Sequence, residues 1–513
     1  MLAKLKSATY IGIEGILVDV EVDLSKGIPS FSLVGLPETM VKESKERVLT
    51  AIRNSGFALP FKKITINLAP ADLRKEGTGL DLPIALGILS ASGYFESKAL
   101  KDKIFLGELS LDGKLRAVKG VLPIVILLKE KGFKDVILPY DNAKEASIVE
   151  ELNVYPVNSL LEAVKFIKGE IRIEKFKFDK EKLFSELSIY DVDFSEVKGQ
   201  VTAKRALEVA ASGGHNVLFI GPPGAGKTML ARRFPTILPK MTVEEALETT
   251  KIHSVAGRLP PDKPIITTRP FRAPHHTISD IGLIGGGHIP KPGEVSLAHN
   301  GVLFLDEFTE FSRNALEVLR QPLEDGFVSI GRARASLIFP ARFILLASMN
   351  PCPCGYLTHP EKECTCTQGQ IRKYLSKISG PLLDRIDIHI ELPPISYSEI
   401  SSKKEGEPSE KIRERVERAR KIQLERFKNE KGIYFNAHMK QKHLKKYINI
   451  SEEGENLLKD AMEKMNFSAR AYTRILKLSR TIADLEESEE IKPHHIAEAI
   501  QYRALDREYW SNY

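Results

Sequence analysis

Cysteine is scarce in these 513 residues: there are four, and all fall between positions 352 and 366. A disulfide framework would scatter its cysteines along the chain, so the clustering points to a metal and not to a stapled secreted scaffold. Long apolar runs are missing too. Val121-Leu-Pro-Ile-Val-Ile-Leu-Leu128 is among the longest, well short of the roughly 18 residues a membrane helix needs, so no membrane span is expected. The start, Met1-Leu-Ala-Lys-Leu-Lys-Ser7, lacks the apolar core of a secretory signal, and a cytoplasmic protein is expected. The single tryptophan, Trp510, is uninformative. Neither sign of charge dominates: 75 Lys and Arg against 68 Asp and Glu give a net +7, which permits a polyanionic partner without demanding one. With 42% hydrophobic and 28% charged residues, the composition is that of a soluble globular chain, long enough for about three domains.

The strongest signal is Val217-Leu-Phe-Ile-Gly221-Pro222-Pro223-Gly224-Ala225-Gly226-Lys227-Thr228. An apolar strand feeds a glycine-rich turn that opens a helix at Met229. This G-x-x-x-x-G-K-T pattern is the phosphate-binding loop, whose backbone N–H groups and helix N-terminus cradle phosphate oxygens. Lys227 is placed to reach the β- and γ-phosphates of ATP, and Thr228 to ligate Mg²⁺. About 80 residues on, Val302-Leu-Phe-Leu-Asp306-Glu307 delivers two acids at a strand end. Asp306 suits the metal and Glu307 the attacking water, as a hydrolytic NTPase requires. A further strand, Phe343 to Met349, ends in Asn350. Asn350 can hydrogen-bond the γ-phosphate or the water; it can equally be a turn residue before Pro351. Arg385, in Ser379-Gly-Pro-Leu-Leu-Asp-Arg385, can serve as an arginine finger on a neighbouring subunit's nucleotide, or pair on the surface with Asp384 or Asp387.

Between these strands, two β-rich runs flank Gly331-Arg332-Ala-Arg334. This predicts a hairpin with a basic tip that carries Arg332 and Arg334; an ordinary solvated basic turn is the alternative. Cys352-Pro-Cys354 and Cys364-Thr-Cys366 form two Cys-x-Cys pairs able to close a tetrahedral four-sulfur site, favouring a structural Zn²⁺ that braces the loop after Asn350. Two residues between paired cysteines is the commoner spacing, and redox pairs or inert thiols are the other readings. The Gly-, Pro- and His-rich stretch from Arg269 to Gly301 reads as a structured loop; its histidines could ligate metal but lack acidic or Cys partners at ligand spacing.

The first 170 residues alternate strands and helices. Strands are predicted over 11–23, 63–68 and 136–139, helices over 42–54, 82–92 and 121–131, and a hairpin turns at Asp112-Gly113. Asp72-Leu-Arg-Lys-Glu-Gly-Thr-Gly79-Leu-Asp-Leu-Pro83, Gly113-Lys-Leu-Arg-Ala-Val-Lys-Gly-Val-Leu122 and Leu138-Pro-Tyr-Asp-Asn142 resemble motifs of the Lon-type proteolytic domain, a ribosomal-S5-like α/β fold. In that family the first motif carries a serine nucleophile and the second a lysine base. Gly79 and Leu122 hold those places here and can do neither job, so the resemblance implies a non-catalytic domain.

The ATPase motifs, with Arg269-Pro-Phe-Arg-Ala-Pro-His-His-Thr-Ile-Ser279 and Gly282 to Gly301 before the Asp-Glu strand, resemble the AAA+ superfamily in its magnesium-chelatase and helicase branch. Across the whole chain the sequence resembles the ComM/YifB family of magnesium-chelatase-like ATPases. The fold class implied is α/β: a P-loop AAA+ core with a helical lid, preceded by the Lon-protease-like domain. The boundaries expected are 1–170 for that domain, 171–195 for a charged linker, 196–395 for the core and 396–513 for the lid, with helices over 411–431, 451–465, 468–486 and 494–506. By the same resemblance Arg470, at the first turn of a lid helix, takes the sensor-2 place on the nucleotide, with Arg474 as runner-up. The resemblance also implies that the basic hairpin projects into the pore of a homo-oligomeric ring, a hexamer, where Arg332 and Arg334 are candidate phosphate contacts for DNA. The activity implied is an ATP-driven motor on DNA, single-stranded or branched, in branch migration during recombination or natural transformation. The rival is a chelatase-like remodeller of a partner protein.

Overall fold

The computed structural model describes residues 1–35, 43–72, 75, 78–177, 190–260, 263–287, 290–332, 335–394, 406–430, 432–465, 467–503 and 505. Strands are numbered in chain order, as are helices of eight or more residues.

The first domain is built on a mixed sheet. β1 (Leu2–Ile11) and β2 (Glu14–Ser25) form an antiparallel hairpin, paired from Leu2↔Asp23 to Ile11↔Glu14. The sequence reading ran one strand across 11–23; the chain instead reverses at Gly12, whose φ of 61° suits the turn. Alternation explains the rest: Val18, Val20, Val22 and Leu24 point inward while Asp19, Glu21 and Asp23 intervene. β3 (Ser30–Val34), β4 (Lys63–Ala69), β5 (Lys103–Phe105), β8 (Asp135–Pro139) and β9 (Asn153–Val157) complete the order β3-β4-β2-β1-β5-β8-β9. The small β6 (Glu108–Leu109) and β7 (Leu115–Arg116) pair across the Asp112-Gly113 turn. Helices α1 (Ser44–Asn54), α2 (Asp81–Ala91), α3 (Val121–Glu130) and α4 (Leu160–Ile167) accompany the sheet. All eleven residues of α2 are buried. Its Asp81 is paired with Arg47 of α1 at 2.8 Å, yet burial pushes its carboxyl up to about 6.

Of the predicted linker, 171–195, residues 178–189 lie outside the described residues; before them the Phe176 N–H donates to Val154 O at 2.9 Å. Beyond it, α5 (Val201–Gly213), β10 (Val217–Ile220), α6 (Lys227–Ile237) and α7 (Val243–Ala256) open the second unit. Then follow β11 (Phe271–Arg272), the small β12 (Gly285–Gly286) and β13 (Lys291–Pro292), and β14 (Val302–Leu305). β15 (Phe327–Arg332) and β16 (Ala335–Pro340) form a separate antiparallel ribbon; β17 (Ile344–Met349), α8 (Gln368–Leu375) and β18 (Ile388–Glu391) follow. The main sheet is parallel, ordered β11-β14-β17-β10-β18. β10, β14 and β17 are buried on both faces, which is why their sequences are unbroken apolar runs. Val217 and Phe219 face a core shared with α5 and α6; Leu218 and Ile220 face another containing Phe308, Leu316, Ile371 and Tyr374.

The C-terminal unit is helical: α9 (Ser409–Arg426), α10 (Glu452–Met465), α11 (Ala469–Leu485) and α12 (Pro493–Gln501). The opening of the expected lid, residues 396–405, lies outside the described residues. α9 begins and ends earlier than the predicted 411–431, and the last predicted helix, 494–506, is shorter. α11 packs on α5, α9 and α12.

Candidate nucleotide site

β10 ends at the phosphate loop, where Gly224 and Gly226 adopt φ of 83° and 85°, a conformation that costs glycine little and aims backbone N–H groups inward. Lys227 Nζ donates to Gly221 O at 2.6 Å, Pro222 O at 2.9 Å and Asn350 Oδ1 at 3.1 Å. Burial lowers its pKa; Asp306 and Glu307 partly oppose this. Thr228 Oγ1 donates to Asp306 Oδ2 at 2.8 Å, while Asp306 Oδ1 accepts from the Ser348 hydroxyl and, at 3.1 Å, from the Glu307 N–H. β14 and β17 are neighbours in register, with Leu305 opposite Ala347, so Asp306, Ser348 and Asn350 arrive together at one end of the sheet. Glu307 stands at φ 53°, and its half-exposed carboxylate lies 3.1 Å from His276 Nδ1.

These groups open onto a cavity of about 850 Å³ lined by residues 223–229, Asp306, Glu307, Asn350, Pro353 and residues of α8, a size that accommodates a nucleotide. The adjoining Thr228 hydroxyl and Asp306 carboxylate are hard oxygen donors of the kind Mg²⁺ takes beside a phosphate.

Arg385 and Arg470 are placed elsewhere. Asn216, just before β10, receives the Asp387 and Ile388 N–H groups and donates to Arg385 O at 2.8 Å. Arg385 therefore stands at the sheet edge where β10 begins, whereas the phosphate loop lies where β10 ends. At about 3.3 Å per residue the span from Asn216 to Gly221 is roughly 16 Å, beyond the reach of an arginine side chain. Arg385 Nη1 donates to Pro381 O at 2.6 Å and its other amino group pairs with Glu324. Arg470 pairs with Asp384 at 2.8 Å and Arg474 with buried Asp387 at 2.9 Å. Within one chain, then, neither Arg470 nor Arg474 lines the cavity, and both stand beside Arg385. Burial and its contacts to Asp387 and Thr481 hold His215 at the same edge, with burial lowering its pKa.

The four cysteine sulfurs lie within 4.8 Å of one another and are free thiols. Cys352 Sγ is 3.3 Å from Cys354 and 3.6 Å from Cys364, and Cys354 is 3.6 Å from Cys364. A tetrahedral zinc with Zn–S bonds near 2.3 Å spaces its sulfurs by about 3.8 Å, so the cluster fits the ion. A second gathering, Glu486, His494 and His495, fits a metal less well. His495 Nδ1 accepts the Lys492 N–H at 2.9 Å, which leaves the ring proton on Nε2 to donate to Glu486 at 3.0 Å. Among the described residues, the histidines of the 269–301 loop join no group of three potential ligands.

Of the DNA candidates, Arg332 ends β15 opposite Ala335, its side chain outside the described residues, as is all of Arg334. In the first domain, Leu122 is fully buried and its N–H donates to Glu145 Oε1 at 3.0 Å; Gly79 O accepts from the Gly107 N–H. Reading from sequence missed Ser348, His276, the α8 residues of the cavity and the Asp387 pairing. No motif marks them; only the register of β17 and the return of distant loops brings them in.

A phosphate loop at the end of one strand, answered by an acid pair two strands away, is the arrangement of P-loop ATPases of the AAA-like class. Comparison with known proteins goes further. Models of the magnesium chelatase subunit ChlI match residues 193–400, of subunit ChlI of Mg-chelatase residues 20–142, and of the ChlI C-terminal region residues 406–503. The competence protein ComM of Haemophilus influenzae is 46% identical over 509 residues, 99% of this chain and 98% of its own. The uncharacterized protein YifB of Escherichia coli is 42% identical over 499 residues, 97% and 96% of the two chains. The magnesium-chelatase 67 kDa subunit of Chlorobaculum tepidum is 26% identical over 211 residues, 40% of this chain and 27% of its own. The chain belongs to the ComM/YifB family of magnesium-chelatase ChlI-like proteins, and its core is a magnesium-chelatase-like ATPase.

Proposed function

We propose that the protein is an ATP-hydrolysing ring motor that acts on DNA, moving or remodelling single-stranded or branched substrates. The observation that carries the ring is the separation of Arg385 from its own phosphate loop across the sheet, with Arg470 beside it. An arginine at that edge can complete a nucleotide site only in a neighbouring copy, so hydrolysis belongs to the interface of a homo-oligomer, a hexamer by family expectation. Lys227 and the loop N–H groups hold the phosphates. Thr228 and Asp306 would hold Mg²⁺, which would neutralise phosphate charge. Glu307 takes the water's proton, Asn350 orients that water or the γ-phosphate, and Arg385 and Arg470 of the adjacent copy meet the charge that develops.

The DNA reading rests on the antiparallel ribbon β15–β16, paired from Phe327↔Pro340 to Arg332↔Ala335 and, among the described residues, joined by no third strand, and on the competence name of the Haemophilus relative. Similarity to a magnesium-chelatase subunit supports the second reading, a remodeller whose ATP cycle drives a partner protein. Turnover measured with and without single-stranded and four-way-junction DNA separates them: stimulation by DNA is expected, and indifference to every DNA favours the remodeller. The four cysteines hold a structural Zn²⁺; elemental analysis of protein purified without chelator should give about one zinc per chain, and reactivity of all four thiols in the folded protein would contradict it.

A further inference from the structure

The cavity wall formed by Gln370, Lys373, Tyr374 and Lys377 comes from α8 and the turn after it. At eight residues α8 is too short to persist by itself, so something outside it must fix its position. Its entry is Cys364-Thr-Cys366, after which Thr367 caps the helix in a reciprocal pair with Gln370, at 2.9 and 3.3 Å. On the other side, Cys352-Pro-Cys354 begins two residues after Asn350, and Pro353 itself lines the cavity. The next residue, Gly355 at φ 84°, lies so close to the phosphate loop that an added Cβ would sit 2.7 Å from Pro223 Cδ. The sulfur cluster therefore joins three things: the strand end bearing Asn350, the phosphate loop and the start of α8. The far end of α8 faces back across the cavity. Tyr374 bonds the Asn350 backbone, and the exposed Lys377 ammonium lies 3.5 Å from Glu310, a pairing weak enough to yield to phosphate.

We infer that the four-cysteine centre is a metal-dependent clasp for the nucleotide cavity, holding α8 so that Lys373 and Lys377 serve as ligands of the nucleotide's phosphates. This rests on the zinc reading above. With metal, four thiolates share one dication and the 352–366 turn is closed. Without it the sulfurs have no common partner, the entry of α8 is released although Ile371, Tyr374 and Leu375 stay packed in the core, and the two lysines lose their aim. Metal content thereby controls nucleotide affinity, although no sulfur touches the nucleotide.

The test uses the full chain and a fluorescent ATP analogue titrated in Mg²⁺ buffer, with zinc measured on each sample. Chelator-stripped protein should bind the analogue about tenfold more weakly or worse, as expected for losing charged hydrogen bonds. Zn²⁺ should restore affinity where further Mg²⁺ does not. The double variant Lys373→Ala/Lys377→Ala should keep its zinc and show a comparable loss, and stripping its zinc should add little, because both treatments remove the same contacts. A Cys364→Ser/Cys366→Ser protein is a second zinc-free sample. Should it fail to fold, the strip-and-restore comparison on the parent decides. Zinc-free protein with parental affinity overturns the clasp and leaves the zinc site standing. Purified protein that never contains metal overturns both. Fully additive losses from stripping and lysine removal overturn the role given to the lysines.

Discussion

Replacing Arg385 with alanine isolates the step that needs a second subunit. In the chain itself the Arg385 side chain reaches Pro381 O and Glu324, and its carbonyl accepts from Asn216 at 2.8 Å, about 16 Å of strand before the phosphate loop. Its removal therefore leaves Lys227 with its three acceptors and Thr228 with Asp306, and ATP binding should persist. Hydrolysis should fall by about 10³-fold or more, some 4 kcal/mol of transition-state stabilisation. Lys227→Ala fails for the opposite reason, with the finger intact and the loop disabled. Mixed one to one, rings contain interfaces in which an Arg385→Ala chain supplies the loop and a Lys227→Ala chain supplies the arginine. Random assembly makes these about one interface in four, so the mixture should recover about a quarter of parental turnover if sites act independently, some 250-fold above either variant. The assay is phosphate release after co-refolding or subunit exchange, with ring formation checked by sedimentation. A mixture no faster than the mean of its parents, in rings shown to be mixed, refutes the argument that Arg385 works across the interface.

The remaining predictions concern other parts of the molecule. Glu307→Gln should bind ATP with parental affinity and accumulate it unhydrolysed in a filter-binding assay; normal steady-state turnover would remove Glu307 from its role. Arg332→Ala/Arg334→Ala should weaken DNA binding and flatten its salt dependence by up to about two phosphate contacts, with basal ATP turnover kept; parental binding at every salt concentration would clear the ribbon of that task. Buried His253 lies 3.0 Å from Leu297 O, and burial lowers its pKa to about 4. As pH falls below about 6.5 the unfolded chain takes up a proton that the folded site resists, so this residue's stabilisation is complete above that pH and about 3 kcal/mol is lost by pH 4. Urea titrations of the parent and His253→Gln should show a shallower fall over that window in the variant.

What was legible in the sequence was what burial makes periodic. β10, β14 and β17 are covered on both faces, so their runs of apolar residues announce themselves, and the chemistry at their ends follows from position. α7 was missed because its buried face carries Thr249, Thr250, His253 and Ser254, so its apolar residues trace no stripe. The one available signal was its capping box, Thr242 with Glu245. β1 was missed because it is half of a hairpin whose turn needs only Gly12 and Ile13. The placement of Arg470 depends on where α11 docks, through Asp384 and Asp387, and no local pattern carries that information. The cysteines were legible as a group, but that their turn presses on Pro223 is a fact of packing alone.

The first domain's contact with the ATPase gives a physical sense to Leu122, which the sequence reading aligned with a protease's lysine. α3, which carries Leu122, packs on α7. The apolar cluster around Val121, Leu122 and Val125 continues into Met241, Ala246 and Ile265 of the second unit. Glu145, fully buried, receives the Leu122 N–H and the Ser254 hydroxyl, and burial raises its pKa. A lysine at 122 would place an ammonium in that apolar contact, at a cost of several kcal/mol unless neutralised. The leucine is thus the residue a docking surface requires. α7 in turn is tied to the start of β14, because Asn300 Nδ2 donates to Glu245 O and to Thr249 Oγ1, and β14 ends at Asp306. The same packed path through Leu122 therefore runs to the strand that ends at Asp306. On this geometry the first domain is fixed to the ATPase core through α7, the helix tied to the start of β14.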